Sequence, residues 1–122
     1  MVKIDFEQDK LILKVEGMDK LWSFRSKLSI PLSDITDVYS DPRKAHEWWR
    51  GLKVMGARIP GLIEAGTFLQ QGKQVFWDVE NPDQTIILDL AHENYQQIII
   101  QVVNPQEAIR QIKEAIASSK IG

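Results

Sequence analysis

QVFWDVENPDQTIILDL at residues 74–90 and QIIIQVVNPQEAIRQIKEAI at residues 97–116 carry the pattern that decides the fold. In the first, Val75, Trp77 and Val79 alternate with Phe76, Asp78 and Glu80, the period of a β-strand. Asn81-Pro82-Asp83-Gln84 fits a type I turn with proline at its second position. TIILDL (85–90) and QIIIQVV (97–103) read as two more strands joined by the polar turn AHENYQ. Short strands at this spacing predict an antiparallel meander within a sandwich or barrel.

The second stretch ends in a helix. Asn104 is placed as N-cap, Pro105 as first helical residue, and Glu107 to bond back to the cap. Ala108, Ile109, Ile112, Ala115 and Ile116 then form one apolar stripe, opposite Gln106, Arg110, Lys113, Glu114 and Ser118. A helix of this length is marginal alone, so the stripe is expected to pack on the sheet or across a barrel mouth.

Working back toward the N-terminus, VKIDFE (2–7) and LILKVE (11–16) alternate around a hinge at Gln8-Asp9 and predict a hairpin with one buried face. Met18, Leu21, Trp22 and Arg25 fall at helical spacing and predict a single turn plugging one end of a barrel. KLSIPL (27–32) is a strand that Pro31 confines to an edge or bend, and Ile35, Val38 and Tyr39 suggest another near 35–40. Asp41-Pro42 starts a helix that stops at Gly51. Gly51, Gly56, Gly61 and Gly66, with Pro60, make the following stretch bend or approach other backbone closely. Gly66-Thr67-Phe68 is expected to enter the sheet beside Val75–Val79, with Gln71-Gly72 turning the hairpin.

A chain of 122 residues with 26% charged and 43% hydrophobic residues is expected to form one domain, residues 1–122. With no cysteine, disulfides, thiolate metal sites and cysteine nucleophiles are excluded, and a reducing compartment is favoured. The first ten residues, MVKIDFEQDK, hold no signal-like apolar run, and the most apolar uncharged stretch, Tyr95 to Asn104, contains three glutamines. No integral membrane segment and a cytoplasmic location are therefore expected.

Net charge is −2, unevenly spread. Arg43, Lys44, Arg50, Lys53 and Arg58 cluster, whereas no Lys or Arg occurs from Gln74 to Ile109 and Asp78, Glu80, Asp83, Asp89, Glu93 and Glu107 do. Such a basic end and acidic flank either pair within the molecule or complement a partner, a second copy or an anion.

Catalytic patterns are missing. His46 and His92 belong to no metal-spacing motif, and no nucleophile elbow, phosphate loop or dinucleotide fingerprint occurs. Asp78 and Asp89 could face each other across a hairpin as a cation site, though solvated outer-face acids are the plainer reading. The expectation is no enzyme, no cofactor and no metal. Nucleic acid is not expected either, because the basic cluster is small and Trp48 and Trp49 sit on a helix rather than a strand platform.

Trp48-Trp49 is the most informative local pair. Helical neighbours point about 100° apart, so one tryptophan enters the core while the other lies near the surface beside Arg50, unless the glycine-rich loop covers it. A surface Trp with Arg is hot-spot chemistry for protein contacts. Trp48, Trp49, Arg50, Arg58, Arg43 and Lys44 are therefore the candidate binding residues, with Arg58 orienting the helix by stacking or by bonding carbonyls. A protein partner or self-association leads. The alternative is a small-molecule or anion carrier using the barrel mouth or the Arg43–Arg58 surface.

LWSFRSKLSIPLSDITDV, ARIPGLIEAGTF and VFWDVENPDQTIILDL resemble a group of small bacterial proteins with a pleckstrin-homology-like (PH-like) fold. The resemblance covers about residues 10 to 113, and its most specific pieces are Arg58-Ile59-Pro60-Gly61, Gly66-Thr67-Phe68 and Phe76-Trp77-Asp78-Val79. It implies a mainly β fold, a bent barrel of about seven antiparallel strands capped by the C-terminal helix, and no activity or ligand. Lipid-binding members grip inositol phosphates with basic residues around the first hairpin loop. Here that loop is Glu7-Gln8-Asp9-Lys10, so phosphoinositide-type binding is not expected.

Overall fold

The computed structural model describes residues 2–15, 27–47, 65–70, 73–79, 81–93 and 95–121. Their strands are β1 (Val2–Glu7), β2 (Lys10–Val15), β3 (Lys27–Pro31), β4 (Ile35–Tyr39), β5 (Ala65–Gln70), β6 (Lys73–Asp78), β7 (Thr85–Leu90) and β8 (Gln97–Gln101). The C-terminal helix, α1, is Pro105–Ile121. A 3-10 turn at Leu32–Asp34 joins β3 to β4, and residues 42–47 are helical. The fold is mainly β with one C-terminal helix.

The described strands form two sheets, β1-β2-β3 and β4-β7-β8-β6-β5, and among the described residues these do not close a barrel. The expected barrel is corrected in a second respect: β8 lies between β6 and β7 and runs parallel to β6. Residues 79 and 81–84, between β6 and β7, therefore belong to an arch past the end of β8 and not to a tight hairpin. The arch is fastened on both sides. Asn81 N–H donates to Oε1 of the buried Gln101 at 2.8 Å, and Val102 N–H donates to the Gln84 carbonyl at 3.0 Å. Asn81 and Pro82 still do turn chemistry, since Asn81 Oδ1 accepts from Asp83 N–H at 3.0 Å in a 3-10 turn at Pro82–Gln84.

Separation of β6 from β7 also removes the proposed Asp78–Asp89 pairing. Asp78 lies opposite Ile100 and Asp89 opposite Gln97 on the two sides of β8.

The main core lies between the sheets. Leu11, Leu13, Leu28 and Ile30 of the three-stranded sheet meet Val38, Phe76, Ile86, Leu88, Ile98 and Ile100 of the five-stranded sheet. Ala108 and Ile112 of α1 enter the same core, with Ile109, Ala115 and Ile116 beside them, so the helical stripe packs as its spacing predicts. Asn104 caps the helix by accepting from Glu107 N–H at 3.2 Å. The Glu107 carboxylate turns outward to Arg110 rather than back to the cap.

A second cluster covers the other face of the five-stranded sheet: Val75, Trp77, Val79, Ile87 and Ile99, with Tyr39 against it. Strands buried on both faces lose the alternation of half-exposed ones, which explains the unbroken Ile98-Ile99-Ile100 of β8.

The two hairpins keep their expected registers. Glu7 pairs with Lys10 around a turn in which Gln8 takes φ 54°, and Gly66, Thr67 and Phe68 lie opposite Trp77, Phe76 and Val75. Pro31 ends β3 at a sheet edge, as expected. The predicted turn at residues 18–25 and the turn at 71–72 lie outside the described residues.

Candidate binding surface

Alternation along β4, interrupted by a register shift between Ile35 and Asp37, buries Ile35 and Val38 and exposes Thr36 and Asp37. Helix α1 lies against β4, the Leu32–Asp34 turn and β7. Between helix and strand an open cleft of about 200 Å³ is lined by Ile35, Thr36, Asp37, Val38, Lys113 and Ile116. Ile35, Val38 and Ile116 supply its apolar side chains, and Thr36, Asp37 and Lys113 its polar ones, so a carboxylate and an ammonium line the same cleft. Asp37 Oδ1 accepts from the Val38 N–H at 2.8 Å, and Thr36 Oγ1 donates to the Asp89 carbonyl at 3.0 Å. The Lys113 side chain forms no ion pair or hydrogen bond with the described residues.

A polar network occupies the outer face beside β4. Asp89 Oδ1 accepts from Gln97 Nε2 at 2.8 Å and from the Tyr39 hydroxyl at 3.3 Å. Lys44 Nζ lies 3.4 Å from that hydroxyl and 5.9 Å from the ring centroid. Burial first, then the Asp89 carboxylate, push Tyr39 up to about 12. The hydroxyl thus stays protonated and neutral at physiological pH, a donor and acceptor holding β4, β7 and β8 in register.

Among the sequence-predicted site residues, Arg43 and Lys44 are described and are not brought to one site. Asp41 caps their helical segment, its Oδ1 accepting from Lys44 N–H at 3.1 Å. Arg43 points to solvent, 91% exposed, with Glu47 at 3.8 Å, while Lys44 turns inward to Tyr39. Trp48, Trp49, Arg50 and Arg58 lie outside the described residues. His46 bonds Asp83 at 2.7 Å, so the basic and acidic segments meet there within the molecule. Among the described residues no group of three or more His, Asp or Glu side chains is arranged to hold a metal ion, and no helix is long and apolar enough to cross a membrane.

The cleft was not apparent from the sequence. Thr36, Asp37 and Lys113 each read as ordinary surface residues, and only the docking of α1 on β4 brings them together.

One acidic pair has a measurable consequence. Glu93, in the β7–β8 connection, shares a hydrogen bond with Asp34; that bond, burial and repulsion between the carboxylates raise Glu93 above its ordinary value of 4.5. A raised acid binds its proton more tightly in the folded state. The pair's stabilisation is therefore complete below pH 4.5 and is lost as pH rises through the folded-state value. Glu93→Gln is expected to stabilise the protein at pH 7 on the order of 0.5 kcal/mol, the size of an exposed charge-pair effect. That gain should vanish below pH 4.5 in urea titrations. An equal gain at both pH values would contradict the account.

The structure defines a class by architecture, two packed β-sheets with one C-terminal helix on them. The chain matches no family model, no curated protein and no solved structure.

Proposed function

We propose that the protein is a non-enzymatic, PH-like binding module that takes a protein partner at the cleft between α1 and β4. The observation that carries this reading is the cleft itself, where the apolar side chains of Ile35, Val38 and Ile116 lie beside a lysine that forms no ion pair with the described residues. Such a site suits one apolar side chain of a partner with a carboxylate next to it, which would meet Lys113. In favour of the PH-like assignment are the quoted segments and a capped C-terminal helix packed on a largely antiparallel β fold. The parallel β6–β8 pair and the open sheets depart from it.

The carrier alternative has less behind it. About 200 Å³ is below the usual 300–1,000 Å³ of a small-molecule pocket. On the described part of the basic surface, Lys44 is engaged with Tyr39 and Arg43 lies near Glu47.

Affinity capture followed by mass spectrometry tests the proposal. A partner retained by wild type and by Lys113→Arg, and lost with Lys113→Glu, is the expected result. A partner retained equally by Lys113→Glu would place the contact elsewhere and overturn the assignment.

A further inference from the structure

Two strands that end their sheets carry the same device. β1 pairs only with β2 and β4 only with β7 among the described residues. Glu7 and Lys10 flank a two-residue turn, so they form the hydrogen-bonded pair and the next pair, Phe6–Leu11, does not. The Phe6 N–H consequently points out of the sheet. On β7, the backbone of Leu90 and that of the flanking Gln84 bond toward β8, through Leu90 N–H to the Gln96 carbonyl and Val102 N–H to the Gln84 carbonyl. Leu88, in phase with both, also faces β8, so Val38 opposite it directs its N–H outward.

Neither outward amide is open. Phe6 N–H donates to Asp5 Oδ1 at 2.8 Å, and Val38 N–H donates to Asp37 Oδ1 at 2.8 Å. In each case the acceptor is the aspartate immediately before. Of the two remaining edges, β3 and β5, β3 ends in Pro31, which has no N–H to offer.

We infer that Asp5 and Asp37 are edge guards, closing β1 and β4 to strand addition by a second copy of this chain. An added strand must receive the outward N–H groups of the edge it joins. A side-chain oxygen already holding that hydrogen competes with the carbonyl of the incoming backbone. Asp5 fits the role further: the Phe6 N–H, followed by the Lys14 ammonium, holds its carboxyl below the usual value. Asp37 has a second consequence, because β4 is also a wall of the cleft. A partner there is read through side chains and not as an added strand.

Sedimentation velocity from micromolar to millimolar protein tests the guards, with circular dichroism confirming the fold. Asp5→Ala and Asp37→Ala are each expected to self-associate roughly tenfold more tightly than wild type, the size of one added backbone hydrogen bond. Asp5→Asn and Asp37→Asn keep the acceptor oxygen and should match wild type. Equal behaviour of Ala and wild type, or association of the Asn variants as well, overturns the inference. A second reading needs no variant: in wild-type amide exchange, Phe6 should be slower than the equally outward Ile4. Equal rates would also overturn it. Both readouts are independent of any partner at the cleft.

Discussion

Trp77→Ala is expected to lower the unfolding free energy by about 3–5 kcal/mol, a large part of the 5–15 kcal/mol typical of a whole domain. Trp77 is fully buried on the outer face of the five-stranded sheet, among Val75, Val79, Ile87 and Ile99. Removal of the indole leaves a cavity that these β-branched neighbours cannot fill, because their rotamers are stiff and their strands are fixed by pairing on both sides. Urea unfolding followed by circular dichroism would show a lower midpoint at unchanged slope. A loss below about 1 kcal/mol, the level of a surface substitution, would mean that this face is not a packed core.

Ile112→Asp is expected to abolish folding. Ile112 has no exposed surface and faces the core shared by both sheets. An aspartate there would bury a charge with no partner, or force α1 off β4 and β7. Ile112→Ala separates the two terms: it keeps the helix apolar and should cost about 2–5 kcal/mol through the cavity alone. A folded Ile112→Asp variant with wild-type stability would mean that α1 does not dock through this stripe. Because α1 forms one wall of the cleft, the same variant is expected to destroy partner capture.

These two residues illustrate what the sequence disclosed. Ile112 was legible, because helical periodicity states directly which residues share a face. So were Asn104, Pro105 and the hairpin registers, whose signals are local. The strand content of 85–90 and 97–101 was legible too.

The order of the strands was not. Nothing in NPDQ distinguishes a turn joining neighbours from an arch spanning a third strand, since the local hydrogen bonds are alike in both. The difference lies in Gln101, whose side chain reaches back to Asn81 across twenty residues of sequence. One signal was available: Ile98-Ile99-Ile100 breaks the alternation expected of a strand with one wet face, and a strand covered on both faces belongs inside a sheet.

The site was less legible than the fold. Trp48, Trp49, Arg50 and Arg58 stand out in the sequence because those residue types dominate interfaces, and they lie outside the described residues. The described surface draws on Thr36, Asp37, Lys113 and Ile116, joined only by tertiary packing. Tyr39, Asp89 and Gln97 likewise come from three strands whose adjacency the pattern does not state.

The central claim is that a protein partner docks between α1 and β4, and backbone amide NMR of the labelled protein titrated with the captured partner tests it most directly. The account predicts shifts concentrated at residues 35–38, 113 and 116, weakened by Lys113→Glu. Shifts confined to other surfaces, with those residues silent at saturation, would contradict it.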